Sequence, residues 1–192
     1  MQLLSTFSVL FLAATTVLSA PKTDAAATIK TFGLNGSGCP PGSTTVTLSN
    51  DKSTASATFS QFIPSVSTQS FRKNCQASIS VDVPAGKKFA VDKVGYSGFV
   101  QLDPKVAVVH GTTVYFQAQL EQQSASDTLK GPITKTVDLS NKFSSNPVWS
   151  KCGAGTAIVN VDISLYLNAD GSSDGFASVD DAKFGPFVLA DC

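Results

Sequence analysis

Side chains able to do acid, base or nucleophilic chemistry are scarce in this sequence. It holds one histidine, His110, one glutamate, Glu121, one arginine, Arg72, and thirteen aspartates. A serine hydrolase would have to use His110, which precedes a glycine and which we expect in a turn, and the motif GYSG at 95–98 lacks the spacing of a nucleophile elbow. We predict no catalytic residue, although aspartates converging in a cleft would give the carboxylate pair of a secreted hydrolase.

Metal ligands are also few. Zinc would need more than one histidine or a C-x-x-C pair, and the sequence has neither. The stretch DGSSDGFASVDD at 170–181 matches a calcium-binding loop in part, but its last ligand is aspartate and a plain hairpin connection uses the same residues. We therefore predict no metal site and no cofactor.

Two runs of alternating polar side chains could form a ligand-binding surface. They are Thr113, Tyr115, Gln117 and Gln119 on one predicted strand and Asn160, Asp162, Ser164 and Tyr166 on another. If the two strands are neighbours, their side chains would make a flat surface that stacks a sugar ring and hydrogen-bonds its hydroxyls. An ordinary solvated sheet face has the same pattern, and from the sequence alone it is the better supported interpretation.

The first residues predict export. An uncharged apolar run extends from Leu3 to Leu18, which is typical of a signal peptide, and we place the cut after Ser19. We expect a signal peptide at 1–19, a short leader at 20–35 and one domain at 36–192, secreted to the extracellular space. No later segment has the roughly 20 apolar residues of a membrane span, so we expect no membrane association.

The charge balance limits the choice of partner. Lysine and arginine together equal aspartate and glutamate, so the formal net charge is zero, and no basic stripe is present to neutralise phosphates. We expect no nucleic acid partner. The expected partner of this monomer is a glycan of a cell wall or a host surface, and a structural extracellular protein with no specific ligand remains an alternative.

The elements that must position these residues are strands. Serine and threonine supply 43 of the 192 residues, glutamate occurs once, and apolar residues alternate with polar ones. The clearest segments are 44–50, 75–83, 112–121 and 157–168, with further candidates at 54–62, 87–102, 132–139, 176–181 and 184–192. Nine or ten strands predict a single antiparallel β-sandwich, immunoglobulin-like or jelly-roll-like. A slip of phase between Val91 and Val94 predicts a bulge or a bend between sheets.

Four cysteines in an exported chain predict two disulfides. Of the three possible connectivities we favour Cys39 with Cys75 and Cys152 with Cys192, because each joins neighbouring cysteines across 36 and 40 residues. In the chain-entropy model each bridge stabilises the fold by roughly 4 kcal/mol. Loop entropy alone does not exclude the crossed pairings.

Two surface features complete the candidate sites. Asn35 begins the sequon Asn35-Gly36-Ser37, which predicts an exposed, glycosylated asparagine in a eukaryotic secretory pathway. Arg72 stands three residues before Cys75, and we favour a role in which its guanidinium donates to loop carbonyls or to a nearby aspartate over a role in ligand binding.

Three landmarks stand out in the sequence: GSGCPPGS at 36–43, FRKNCQ at 71–76 with its following strand, and VWSKCG at 148–153 with the terminal Cys192. Together they resemble a family of secreted fungal proteins known as domain of unknown function 4360. The resemblance extends over nearly the whole chain after the signal peptide, and Lys151 stands where the family often has proline. It implies secretion, a cysteine-bridged β-rich domain and no established activity.

Overall fold

The structure is a computed structural model that describes residues 26–143, 147–153 and 155–192. The predicted signal peptide at 1–19 lies outside these residues. Strands, turns and bends make up the described ranges, and none of them contains a helix. In particular, no described helix is long and apolar enough to span a membrane.

The described residues form thirteen strands. In chain order they are β1 (Thr28–Asn35), β2 (Thr44–Leu48), β3 (Ala55–Phe59), β4 (Arg72–Val83), β5 (Lys87–Ala90), β6 (Lys93–Leu102), β7 (Ala107–Phe116), β8 (Gln122–Lys130), β9 (Ile133–Lys142), β10 (Gly155–Asn168), β11 (Gly175–Ala177), β12 (Asp181–Phe184) and β13 (Val188–Asp191). Most segments predicted from alternation correspond to one of these strands, because one of their faces is buried and the other is not.

The strands form a single antiparallel β-sandwich with two disulfides, as predicted. One sheet has the order β1-β4-β10-β7-β8, and the other has the order β11-β6-β12-β3-β2 with β9 paired to the free side of β6. All pairings are antiparallel, and a short third sheet joins β13 to β5. The predicted bend falls at Val91 and Asp92, where the chain leaves β5 in the small sheet and enters β6 in the six-stranded one.

The core lies between the two large sheets. Alternate residues of β10, from Val159 to Leu167, are buried there, as are the inward residues of β4. Phe32 of β1 packs edge-on against Phe184 of β12, with ring centroids 5.1 Å apart. Because these strands belong to different sheets, this contact crosses the sandwich, and aromatic pairs of this geometry add about 0.5–1.5 kcal/mol beyond their buried area.

The two bridges have the connectivity that the sequence analysis favours. Cys39 is joined to Cys75 at the start of the buried part of β4, and Cys152 is joined to Cys192. The first bridge holds the loop after β1 on the five-stranded sheet. The second holds the chain end beside the small sheet, where the Cys192 amide donates to the Gly86 carbonyl at 2.9 Å.

Three details of the predicted elements were wrong. The segment 28–35, assigned to the leader, is β1 and pairs with β4, so the sheet begins before residue 36. The strand predicted at 112–121 ends at Phe116, and Leu120 is fully exposed because the chain turns through Ala118 at a φ of 60°. Val46 and Leu48 are the apolar residues whose alternation predicts a strand with one buried face at 44–50, but they are exposed because β2 lies at the edge of its sheet.

Candidate functional site

The two polar runs predicted from the sequence do lie side by side. β10 pairs with β7 on one side and with β4 on the other, and Asp162 stands opposite Thr113 and Gln76. We call the outward side of these three strands the polar face. Its members are Arg72, Asn74, Gln76 and Ser78 on β4, Asn160, Asp162, Ser164 and Tyr166 on β10, and Val109, Gly111, Thr113 and Tyr115 on β7.

One row of the polar face crosses all five strands of the sheet. It runs from Asn35 through Gln76, Asp162 and Thr113 to Ser124, each standing opposite the next. We call it the central row. At one end Thr113 and Ser124 are hydrogen-bonded through their hydroxyls at 2.9 Å. The antiparallel register therefore brings side chains from five strands into one line.

Hydrogen bonds order the side chains beside the central row before any ligand is present. Ser78 donates to Asn160 Oδ1 at 2.7 Å, and Gln76 Nε2 donates to the same oxygen at 3.2 Å. The Tyr115 hydroxyl donates to Gln76 Oε1 at 3.1 Å. Such a network fixes rotamers in advance, which lowers the entropy lost when a ligand binds.

Asp162 is the exceptional member of the face. Its Oδ1 atom is buried and has no hydrogen-bond partner in the described structure. Burial raises the pKa of Asp162 above its usual value, and the neighbouring Asn74 amide and the Arg72 charge offset this only in part. A desolvated carboxyl at the centre of a sheet face is unfavourable for folding, and such groups concentrate at functional sites.

Tyr166 and Arg72 close one end of the face. They stand opposite each other on β10 and β4, and Tyr166 is 47% exposed. Tyr115 lies near the other end, opposite Asn160, and is half-buried. Six residues of β10 separate the positions of the two tyrosines, which is about 20 Å at the rise of an antiparallel strand. The tyrosines therefore cannot stack on the same sugar ring.

The two glutamines predicted on the face are at its margin or beyond it. Gln117 follows the last residue of β7, and its backbone N–H donates to the Ile158 carbonyl at 3.0 Å. The Gln119 side-chain amide lies instead between the Trp149 carbonyl and the Lys151 amide nitrogen, 3.2 Å from each. The strand ends at Phe116, so alternation along the sequence no longer places Gln119 on the sheet.

Sequence reasoning missed the contribution of β4 to this face. Gln76 and Ser78 alternate with buried residues in CQASISVDV at 75–83, directly after Asn74, and that alternation was the available signal. The charge of Arg72 lowers the pKa of Asp162, while the predicted donation from its guanidinium to loop carbonyls or to an aspartate stays a prediction. Gly111, in the middle of the face, carries no side chain, and a Cβ there would lie only 3.1 Å from Oγ of Ser164, which stands opposite it.

His110 is not the turn residue predicted from the sequence. It lies inside β7, only 2% exposed, and its ring packs edge-on against Tyr96 with centroids 4.1 Å apart. Neither ring nitrogen has a partner in the described structure, and burial lowers the pKa of His110 to about 4. Among the described residues no serine hydroxyl is bonded to either ring nitrogen, so these residues do not join His110 in a hydrolytic triad.

A chain of polar side chains crosses the interior beside His110. The Tyr96 hydroxyl is hydrogen-bonded to Thr112 Oγ1 at 2.5 Å, and Thr112 Oγ1 donates to Asn141 Oδ1 at 2.7 Å. Asn141 Nδ2 in turn donates to Asp127 Oδ2 at 2.6 Å. These groups link β6 and β9 of one sheet to β7 and β8 of the other. The series of hydrogen bonds therefore holds the two sheets together at this end of the sandwich.

The six-stranded sheet carries an open groove on its outward side. Asp138 and Asp181 stand on either side of Ser97, and Gly95 forms the floor beside Lys183. Asp138 and Asp181 each lie one strand away from Ser97, so the backbone positions of the two aspartates are about 10 Å apart. We call this the Gly95 groove, and it is where described aspartates converge in a cleft, as the hydrolase alternative requires.

The residues of the partial calcium loop are dispersed. Asp170 pairs with Lys105 at 3.4 Å, and Asp174 Oδ1 accepts from the backbone amide of Ser67 at 3.1 Å. Ser178 is buried and Asp181 belongs to β12. Among the described residues no group of three or more histidines, cysteines or acids is arranged to hold a metal ion.

Comparison with known proteins identifies relatives without a known activity. The family described as Domain of unknown function (DUF4360) matches residues 25–186. A relative from Arthroderma benhamiae, named "Uncharacterized secreted protein", is 37% identical over 139 residues, which are 70% of this chain and 56% of the relative. The chain thus spans about half the length of the curated relative it matches. The predicted family and the predicted extracellular localisation are confirmed by these matches.

Two solved structures are similar at a distance. One is TmCBM61 in complex with beta-1,4-galactotriose, 15% identical with a TM-score of 0.28, covering 84% of this chain and 88% of that one. The other, described as "CBM4 structure and function", is 11% identical with a TM-score of 0.23, covering 84% of this chain and 86% of that one. Neither likeness is close enough to identify a ligand for this chain.

Proposed function

The chain belongs to the DUF4360 family, and from that premise we propose that it is a secreted, non-enzymatic protein that binds a glycan of a cell wall or host surface on the polar face. The observation that carries the proposal is Asp162, a carboxyl with an unpartnered buried oxygen at the centre of an ordered polar surface. The fold keeps this unfavourable group in place. Sugar hydroxyls that donate to the exposed part of this carboxyl would offset part of the free-energy cost of its burial.

The chemistry of the face suits a neutral, polyhydroxylated ligand. Sugar hydroxyls can donate to the exposed part of the Asp162 carboxyl and accept from the Arg72 guanidinium and the Asn74 amide. The face carries one acidic residue, Asp162, and one basic residue, Arg72, so it has no net formal charge to attract an ion. The exposed ring of Tyr166 offers an apolar plane against which the C–H groups of a pyranose pack.

The dimensions of the face favour a chain of sugars over a single one. Its two tyrosines are about 20 Å apart along β10, with Asp162 and Ser164 between them. A ligand that contacts both ends must therefore extend over several sugar units. Because Tyr115 is already bonded to Gln76, we assign stacking to Tyr166 and hydrogen bonding to Tyr115.

Affinity electrophoresis through gels containing cell-wall polysaccharides tests the proposal. We expect one polysaccharide to retard the protein, and Asp162→Asn and Tyr166→Ala each to weaken retention by roughly 1–3 kcal/mol. Asp138→Asn, an equal change of charge on the opposite sheet, is the matched control and should leave retention unchanged. Retention that is equal in all four proteins, or absent from every polysaccharide, would contradict the proposal and favour a structural protein without a specific ligand.

The alternative function is glycoside hydrolysis in the Gly95 groove. It is favoured by one observation, the two carboxylates that flank Ser97. An inverting enzyme needs its carboxyl groups about 6.5–9.5 Å apart on either side of the sugar bond. Release of reducing ends from a polysaccharide, lost in both Asp138→Asn and Asp181→Asn but kept in Asp162→Asn, would support the hydrolase and displace the binding protein.

A further inference from the structure

The predicted glycosylation site adjoins the polar face. Asn35 is the last residue of β1, is exposed, and stands directly opposite Gln76 in the register of β1 with β4. Gln76 stands opposite Asp162, so Asn35 is the first member of the central row. Any group attached to the Asn35 amide therefore begins on the face that we assign to sugar binding.

We propose that Asn35 carries an N-linked glycan whose innermost sugars lie along the central row and cover the side of the polar face next to β1, around Gln76. The modification is a group transfer from a lipid-linked oligosaccharide diphosphate. The Asn35 amide nitrogen forms a bond to the anomeric carbon and loses a proton, while the bond from that carbon to the lipid diphosphate breaks. The inference concerns the protein's own modification and does not require that the face bind a foreign glycan.

The reach of the glycan follows from the spacing of the strands. Neighbouring strands lie about 4.8 Å apart, so Gln76 is about 5 Å and Asp162 about 10 Å from Asn35 across the sheet. Two linked pyranose rings extend about as far. Tyr115 belongs to a more distant strand, but its hydroxyl reaches back to Gln76 Oε1, 3.1 Å away. The end of the Tyr115 side chain is thus within the area that the first two sugars cover.

The surroundings of Asn35 direct the glycan across the sheet. Beyond it Gly36 turns at a φ of 151°, where a Cβ would collide with the Asn74 carbonyl, and Ser37 Oγ is hydrogen-bonded to Asn74 at 3.1 Å. The loop after β1 is therefore held against the first residues of β4. It fills the space beyond Asn35 in the direction of the chain. Two residues earlier Gly33, with nothing near the position of a Cβ, leaves the space over β1 and β4 open.

Tyrosine nitration measures how much of the polar face the glycan covers, because the three tyrosines of the chain lie in distinct positions. Tyr96 is buried and should not react, Tyr166 reports the far end of the face, and Tyr115 reports the end near Asn35. In protein secreted from a eukaryotic host we expect Tyr115 to be nitrated several-fold more slowly than after enzymatic removal of the glycan. Tyr166 should react equally in both. Peptide mass mapping gives the occupancy of Asn35 and the site of each nitration.

Nuclear magnetic resonance supplies a second readout that does not depend on tyrosine reactivity. The side-chain amide of Gln76 should shift when the glycan is removed, while that of Gln101, exposed on the opposite sheet, should not. Asn35→Gln should reproduce the spectrum and nitration pattern of the deglycosylated protein. Adding Ser56→Asn to that variant creates a sequon with Thr58 on the other sheet, and a glycan there should leave Tyr115 reactive.

Two results would overturn the proposal. One is an unmodified Asn35 in the protein from a eukaryotic secretory pathway. The other is that Asn35 carries a glycan, but removing this glycan changes neither the nitration rate of Tyr115 nor the side-chain amide resonance of Gln76. Neither readout involves a foreign polysaccharide, so failure of this inference and failure of the proposed function are distinguishable.

Discussion

Acid should destabilise this protein through one buried side chain. His110 lies between the sheets with both ring nitrogens unpartnered and its ring against Tyr96. Asp127, opposite it on β8, accepts a hydrogen bond from Asn141. A proton added to His110 would therefore place a charge in the core on a ring whose nitrogens have no hydrogen-bond partner among the described residues, which burial strongly disfavours.

The magnitude follows from the two pKa values of His110. Burial lowers its pKa to about 4 in the folded protein, whereas the unfolded chain has the ordinary value of about 6.5. Above pH 6.5 the imidazole is neutral in both states and its contribution to stability is fully present. As the pH falls towards 4, only the unfolded chain takes up the proton, so the free energy of unfolding decreases by about 3 kcal/mol.

Urea denaturation at pH 7 and at pH 4 measures this loss when wild type is compared with His110→Phe, which keeps an aromatic ring against Tyr96. Other groups titrate in both proteins: the raised pKa of Asp162 favours the folded state as the pH falls, and the lowered pKa values of Asp51, Asp82 and Asp191 act in the opposite direction. Their contributions cancel in the comparison. We expect wild type to lose about 3 kcal/mol more than the variant, and an equal loss in both would refute the reasoning.

Three further predictions concern the fold. Asn141→Ala, which leaves Thr112 and Asp127 without their buried partner, should lower the free energy of unfolding by about 2–3 kcal/mol in urea denaturation, and a neutral effect would show that the interior chain contributes little. Replacing Cys152 and Cys192 together by serine should cost roughly 4 kcal/mol in the same assay, whereas an unchanged midpoint would contradict the loop-closure argument. Millimolar calcium or chelator should leave the melting temperature unchanged because the acids of 170–181 are dispersed, and a clear shift would reveal a site.

Alternation along the sequence predicted the strands that are covered on one face. In β4 and β10 every second residue is apolar and buried, and the pattern is continuous over many residues. β8 was not predicted because its inward positions include the polar residues Gln123 and Asp127, so apolar residues do not alternate along it. Both side chains form hydrogen bonds, Gln123 to backbone and Asp127 to another side chain. β1 escaped notice because a bulge between Ile29 and Thr31 changes the phase of its apolar residues.

The candidate site was predicted in part. The sequence gives the outward residues of β7 and β10, but only the register shows that β4 lies on the other side of β10 and that Arg72 faces Tyr166. His110 was misplaced because a histidine before glycine is typical of a turn. In the structure Gly111 instead continues β7, where its lack of a side chain leaves room for the Ser164 hydroxyl on the next strand.

The most direct test of the central claim is a chemical-shift titration of the labelled protein with an oligosaccharide from whichever polysaccharide retains it. We predict that the shifted resonances lie on the outward side of β4, β10 and β7, centred on Asp162 and extending to Tyr166. Shifts confined to the Gly95 groove, or no shifts at saturating concentrations of oligosaccharide, would contradict the account.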